Sequence, residues 1–187
     1  GMVSCFFKIS RFKILNAISN VYLSVIRGTP LIVQAFFLYF GVTSALHFKI
    51  AAFTASVIVL SLNAGAYLSE IFRSGIMAVN KGQMEAARSL GLPYGVAMRK
   101  VILPQAIRIV APSVLNQFII TLKDTAILSA IGVGELMKSG TLIVARTFRS
   151  FEIYGIIAAM YFIMIMVLTY LSKIVERRLA NDKGKSN

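Results

Sequence analysis

The side chains whose chemistry most needs explaining are polar ones set in or beside long apolar runs. They are Gln34, Asn63, Glu70, Arg73, Asn116, Gln117, Thr121, Lys123, Asp124 and Thr125. A polar group in hydrocarbon is costly and by default marks function. A hydrolytic centre is not among the readings they support. A single cysteine, Cys5, and a single histidine, His47, exclude a disulfide framework and a multi-Cys or multi-His metal site. Neither G-x-S-x-G nor H-E-x-x-H occurs. The one Gly-Lys-Ser, Gly184 to Ser186, lies in a polar tail and has Leu179 where a phosphate-binding loop requires glycine.

The elements that must position these residues follow from composition. Of 187 residues, 57% are hydrophobic and 14% charged, yet the net charge is +13. A soluble domain cannot hide that much apolar surface, so the basic residues either coat a nucleic-acid face or lie between membrane spans. A helix needs about 20 apolar residues to cross a bilayer core. Four runs qualify: Ser19 to Leu46, Ile50 to Leu68, Ile109 to Val133 and Ile153 to Ile174.

Distributing Lys and Arg over the segments between these runs decides between the two. Lys8, Arg11 and Lys13 precede the first run, and Lys49 alone separates it from the second. Arg73, Lys81, Arg88, Arg99, Lys100 and Arg108 fill the central segment; Lys138, Arg146 and Arg149 follow the third run. Five more close the chain. Alternate segments therefore hold 14 on one side and 4 on the other, with Arg27 and Lys123 inside runs. The positive-inside rule puts the N-terminal segment, central segment and C-terminus in the cytoplasm. The aromatics lie mostly inside the apolar runs rather than among exposed cations, which argues against nucleic acid.

Within the first run, Arg27-Gly28-Thr29-Pro30 must interrupt or start a helix, because Gly relaxes the backbone and Pro removes a donor. The preferred reading puts Arg27 at the cytoplasmic interface with Gly-Thr-Pro starting a helix, ahead of a break lining a pore. The central segment, Ser69 to Arg108, is too polar to span. Its Gln83 to Leu90 portion has good helix formers, a Glu near the dipole's positive end, and Gly91 as cap. Glu85 and Arg88 are spaced to pair, and Ala86 and Ala87 leave a bare face another protein can approach. The competing reading is an interfacial amphipathic helix, which needs a larger apolar face.

Glu70 and Arg73, one turn apart, read as an ion pair steadying the start of this segment, ahead of a gate. Lys123 and Asp124 are adjacent and point to different sides of a helix, so each is expected to find its partner elsewhere. Gly65, Gly132 and Gly134 are expected to permit close helix approach. The Met and Phe residues of the last run are read as packing or lipid-facing.

Glu85-Ala86-Ala87, three residues, Gly91, nine residues, then Val101-Ile102-Leu103-Pro104 is a long pattern of fixed spacing. It resembles the cytoplasmic-loop signature of the transmembrane permease subunits of bacterial ABC importers, where Ile stands in place of Val101. Arg27-Gly28-Thr29-Pro30-Leu31 with Gln34, and Lys123-Asp124-Thr125-Ala126-Ile127-Leu128, are similar to segments of the polar amino-acid group of that family. Ala126 replaces the usual hydroxyl residue.

The resemblance runs from about Ile9 to Leu179. It implies an all-α membrane protein of the type I ABC importer permease fold: residues 1–179 as permease domain, 180–187 as polar cytoplasmic tail. Four full spans and the last turns of an earlier one, Met2 to Phe7, are expected, the chain lacking most of a first span. The helix at 83–91, with Glu85, Ala86, Ala87, Arg88, Leu90 and Gly91, would be the coupling helix. It would dock on one of two separate ATPase subunits, and ATP and magnesium would be bound there, with no cofactor in this chain and no catalysis by it.

Further partners implied are a second permease, identical or related, an extracytoplasmic amino-acid-binding protein, and lipid of the bacterial cytoplasmic membrane. A zwitterionic amino acid needs a donor and an acceptor, which Gln34, Asn63, Asn116, Gln117 and Asp124 can supply along a substrate pathway. Arg27, Gly28, Pro30, Glu70, Arg73, Pro104 and Lys123 are assigned structural or gating roles. The alternative is a non-transporting membrane scaffold or an ion-channel subunit.

Overall fold

The computed structural model describes residues 1–9 and 12–181, all of whose regular structure is helical. The helices are α1 (Met2–Ile9), α2 (Lys13–Gly28), α3 (Leu31–Phe36), α4 (Thr43–Ala45), α5 (Ala52–Ala78) and α6 (Lys81–Ser89). They continue as α7 (Tyr94–Ala97), α8 (Leu103–Asp124), α9 (Leu136–Thr147) and α10 (Ser150–Asn181). Widened π-type turns join α3 to α4 (Phe37–Val42) and α7 to α8 (Met98–Ile102), and a 3₁₀ turn, Thr125–Ile131, follows α8.

Among the described residues, three helical stretches are long and apolar enough to cross a membrane: Ala52–Ala78, Tyr94–Ile131 and Ser150–Arg177. The expected first span, Ser19 to Leu46, is not one straight helix. Lys13–Gly28 and Leu31–Ala45 pass the same test only as a pair and meet at 107°. Pro30 precedes the first residue of α3 with an extended backbone, so the helix starts at the Gly-Thr-Pro segment, yet a second helix enters that segment from the other side.

The other spans extend beyond their apolar cores. α5 runs ten residues past Leu68 and carries Glu70 and Arg73 with it, and the stretch holding α8 begins at Tyr94 rather than Ile109. Hydropathy sees only the hydrocarbon-sized part, whereas hydrogen bonding carries a helix into water at little cost. The polar tail, with Gly184 to Ser186, lies outside the described residues apart from the end of α10.

Two buried clusters hold the bundle together. Ala35, Ala55, Val59, Leu128 and Ile131 join α3, α5 and the 3₁₀ turn. Val79, Ile102 and Ala106, with Ile76, Met84, Met98 and Val101 against them, join the end of α5 to α6 and the base of α8. Small residues set the helix spacing: a Cβ on Gly75 would lie 2.0 Å from Val110 Cγ1, and one on Gly140 would lie 1.9 Å from Ile157 Cδ1.

Gly65 is likewise buried, and a Cβ there would lie 3.1 Å from the Tyr22 hydroxyl. The expectation fails at Gly132 and Gly134, where added Cβ atoms meet nothing within 4 Å. Gly132 is needed for its backbone instead: φ is +90° where the 3₁₀ turn ends.

The last helix is barely covered. Phe162, Ile163, Met166, Val167 and Tyr170 are all more than half exposed, as a lipid-facing surface requires. Between α9 and α10 the backbone turns at Phe148 with φ +58°, a conformation costing an L-residue about 1–2 kcal/mol.

Candidate functional site

The helix expected over Gln83 to Leu90 is α6, Lys81–Ser89, and its ends explain its position. Asn80 is the N-cap, its side-chain oxygen accepting from the Gly82 N–H at 2.8 Å. The helix therefore starts two residues earlier than expected, and Glu85 sits in the second turn rather than beside the first free N–H groups. At the other end the Gly91 N–H bonds the Arg88 carbonyl at 3.0 Å and the Leu92 N–H bonds Ala87 at 3.2 Å. These two bonds make a Schellman cap, which requires a left-handed residue; Gly91 has φ +81°.

The face of α6 is set by the same chain. Met84 packs on the cluster of Val79, Ile102 and Ala106 and Ala87 is buried, while Glu85, Ala86, Arg88 and Leu90 are exposed, Leu90 83% so. The expected Glu85–Arg88 pair does not form. Arg88 turns to the cap and donates to the Leu92 carbonyl at 2.9 Å, and among the described residues Glu85 has no ion partner.

After nine intervening residues from Gly91, Val101 and Ile102 pack with Met84 of α6. Pro104, in the first turn of α8, supplies no N–H, so the Lys100 carbonyl loses its helical partner at the widened turn. Gln105, unremarked in the sequence, donates to the Val101 carbonyl at 3.0 Å and to Gln83 Oε1 at 3.3 Å, tying α6 to α8. Its position just after Leu-Pro was the available signal.

The second assembly is the break at Arg27 to Pro30. Gln34 Nε2 donates to the Ile26 carbonyl at 2.7 Å and to the Thr29 carbonyl and hydroxyl, each at 3.0 Å. Thr29 in turn donates to Val25 at 2.8 Å. The amide thus satisfies carbonyls that the break frees. Gln34 Oε1 lies 3.5 Å from the buried Asn63 Nδ2 on α5, so two of the expected pathway residues come together. The amide donor of Gln34 is occupied by its own backbone.

The third assembly is ionic. Glu70 accepts from Arg73 Nε at 2.8 Å and from Lys8 Nζ on α1 at 2.9 Å, with Arg27 Nη1 3.8 Å away. The Glu70–Arg73 pair is as expected; its extension to Lys8 and Arg27 joins α1 and the break to α5. Arg27 also lies 5.5 Å above the Tyr67 ring.

Gln117 is buried on α8 and bonds Thr121 at 3.4 Å, whereas Asn116 is exposed. Lys123 is exposed and Asp124 partly buried, and neither has an ion-pair partner among the described residues. Sequence reading missed Glu135. Its carboxylate caps α9, accepting from Met137 N at 2.8 Å and Lys138 N at 2.5 Å, and takes the Tyr161 hydroxyl of α10 at 3.0 Å. Glu is not a favoured cap residue, so nothing local signalled it.

Long apolar helices, a bent entry helix and a capped polar helix carried between two of them define a multi-pass membrane protein. The chain belongs to the family described as binding-protein-dependent transport system inner membrane component, which matches residues 1–181. It is 42% identical over 182 residues to the arginine transport system permease protein ArtQ of Bacillus subtilis (strain 168), covering 97% of this chain and 83% of that protein. It is 39% identical over 180 residues to the glutamine transport system permease protein GlnP of Escherichia coli (strain K12), covering 96% of this chain and 82% of that protein.

Among solved structures, a crystal structure of an amino acid ABC transporter with histidines matches with TM-score 0.89 and 45% identity, covering 94% of this chain and 81% of that one. An inward-facing methionine ABC transporter, MetNI, matches with TM-score 0.78 at 16% identity over 95% of this chain and 84% of that one, a likeness of fold alone.

Proposed function

We propose that this chain is the permease subunit of an ATP-driven importer that moves a polar amino acid across the bacterial cytoplasmic membrane. The observation that carries the reading is α6: a helix capped at both ends, packed through Met84 with Ala87 buried, that presents Glu85, Ala86, Arg88 and Leu90 outward. A helix so fixed can transmit a push from a docked protein into α5 and α8, because the cluster beneath it contains residues of both.

In this proposal α6 docks on a separate ATPase subunit, which supplies ATP, magnesium and hydrolysis. Two permeases, identical or related, and two ATPases form the transporter, and an extracytoplasmic binding protein delivers the amino acid. The 14-to-4 split of basic residues supports a cytoplasmic α6 and C-terminus. Asn63, Asn116, Gln117 and Asp124 are proposed to line the pathway, with Lys123 set beside it; Gln34 holds the bent helix in shape and orients Asn63. Arg27, Gly28, Pro30, Glu70, Arg73 and Pro104 form the frame.

The test is Glu85→Ala and Gly91→Val in the reconstituted transporter. ATP hydrolysis should persist while amino-acid uptake falls, with membrane insertion unchanged; undiminished uptake sinks the assignment of α6. Purification from detergent without any co-purifying ATPase would instead favour a scaffold or channel subunit. Screening amino acids for stimulation of hydrolysis identifies the substrate.

A further inference from the structure

The corner between α9 and α10 has a composition that neither packing nor the proposed import function uses. Phe148 and Phe151 are 87% and 92% exposed, above every other large hydrophobic among the described residues. Phe148 holds φ +58°, where glycine is the usual occupant, and its N–H bonds the Val144 carbonyl at 2.8 Å. Arg146 and Arg149 flank it, both exposed and without an ion pair among the described residues.

The position of this corner follows from the helices. Gly140 abuts Ile153 and Ile157, so α9 and α10 form an antiparallel hairpin with Phe148 at its tip. The apolar run Ile153 to Ile174 is 22 residues, about 33 Å of helix against a hydrocarbon core of about 30 Å. That run fills the core and leaves Phe151, Arg149 and Phe148 at its boundary. Phe162 is eleven residues, about three turns, beyond Phe151, so the corner's aromatic face continues into the exposed surface of α10.

We propose that the Arg146 to Phe151 corner is a phospholipid anchor. Phe148 and Phe151 seat where acyl chains meet headgroups, and Arg146 and Arg149 bind headgroup phosphates. Apolar rings beside unpaired guanidinium groups match the two layers of that boundary. The anchor rests on α10 crossing the bilayer and not on the import function.

The sequence contains no tryptophan, so Phe151→Trp and Phe148→Trp each give a lone indole emitter in the full chain, reconstituted in phosphatidylcholine and phosphatidylglycerol vesicles. Both are expected to be quenched more by lipids brominated near the headgroup end of the acyl chain than by lipids brominated near its methyl end, and to resist aqueous iodide. Met166→Trp, in the middle of α10, should show the reverse depth preference. Iodide quenching of the Phe148→Trp and Phe151→Trp variants, beside lipid quenching of the Met166→Trp variant, would overturn the anchor while leaving the span intact. So would protection from iodide only on adding an extracytoplasmic protein, which would make the corner a protein-docking surface. Replacing both arginines with glutamine should weaken quenching by the shallow label; unchanged quenching would remove the phosphate contacts.

Discussion

At the residue scale, two side-chain positions concentrate the chemistry of the frame. Gly91 is required by its φ of +81°, so Gly91→Ala should cost about 1 kcal/mol, read as a lower thermal midpoint of the purified protein. Glu70 compensates Lys8, Arg73 and Arg27 together. Glu70→Gln should cost about 1–3 kcal/mol by leaving charged donors unmatched, and Lys8→Met should cost less in that background than alone. Additive losses in the double-mutant cycle would disconnect the two. The sequence showed the Glu70–Arg73 pair because three residues of helix bring them together. Lys8 and Arg27 were not legible as partners, since their contact depends on how three helices cross.

At the element scale, helix spacing gives a graded prediction. Gly75→Ala drives a methyl group into β-branched Val110 and toward the Ala106 carbonyl, 3.2 Å away, whereas Gly140→Ala meets the flexible end of Ile157. Gly75→Ala should therefore lower the thermal midpoint more, and Val110→Ala should restore part of the loss; equal effects would refute this account of the α5–α8 contact. Sequence reading named Gly132 and Gly134 for this role and missed Gly75 and Gly140. A glycine used for close approach and one used for a left-handed backbone look identical in sequence, and only neighbouring helices separate them. The α6 helix was legible, because caps and formers are local signals, but the direction of Arg88 was not, since its choice between Glu85 and the Leu92 carbonyl is decided by the cap.

At the scale of the molecule, hydropathy found the three long helices and charge suggested their orientation. The interruption signalled by Arg27-Gly28-Thr29-Pro30 in the first run is a 107° bend, an angle that composition does not carry. Orientation can be measured directly. Cys5 is buried at 2% exposure, and in a Cys5→Ala background Lys81→Cys and Lys49→Cys each give one exposed thiol. An impermeant maleimide should label Lys49→Cys in intact cells and Lys81→Cys only after permeabilisation; the opposite pattern would invert the proposed topology.

The widened turn at Met98–Ile102 gives the signature's fixed spacing a rotational meaning. An α-helix advances about 100° per residue, and a π-type turn accommodates one residue more than a regular turn. Ile102 joins Val79 and Ala106 in their cluster with Met98 and Val101 beside it, at a register that includes that extra residue. Removing a single residue there would leave the helix intact but swing α7 and α6 around the axis of α8 by roughly a quarter of a circle. The nine residues between Gly91 and Val101 thus act as a phase setting, and a deletion too small to shorten the helix appreciably would still aim α6 in the wrong direction.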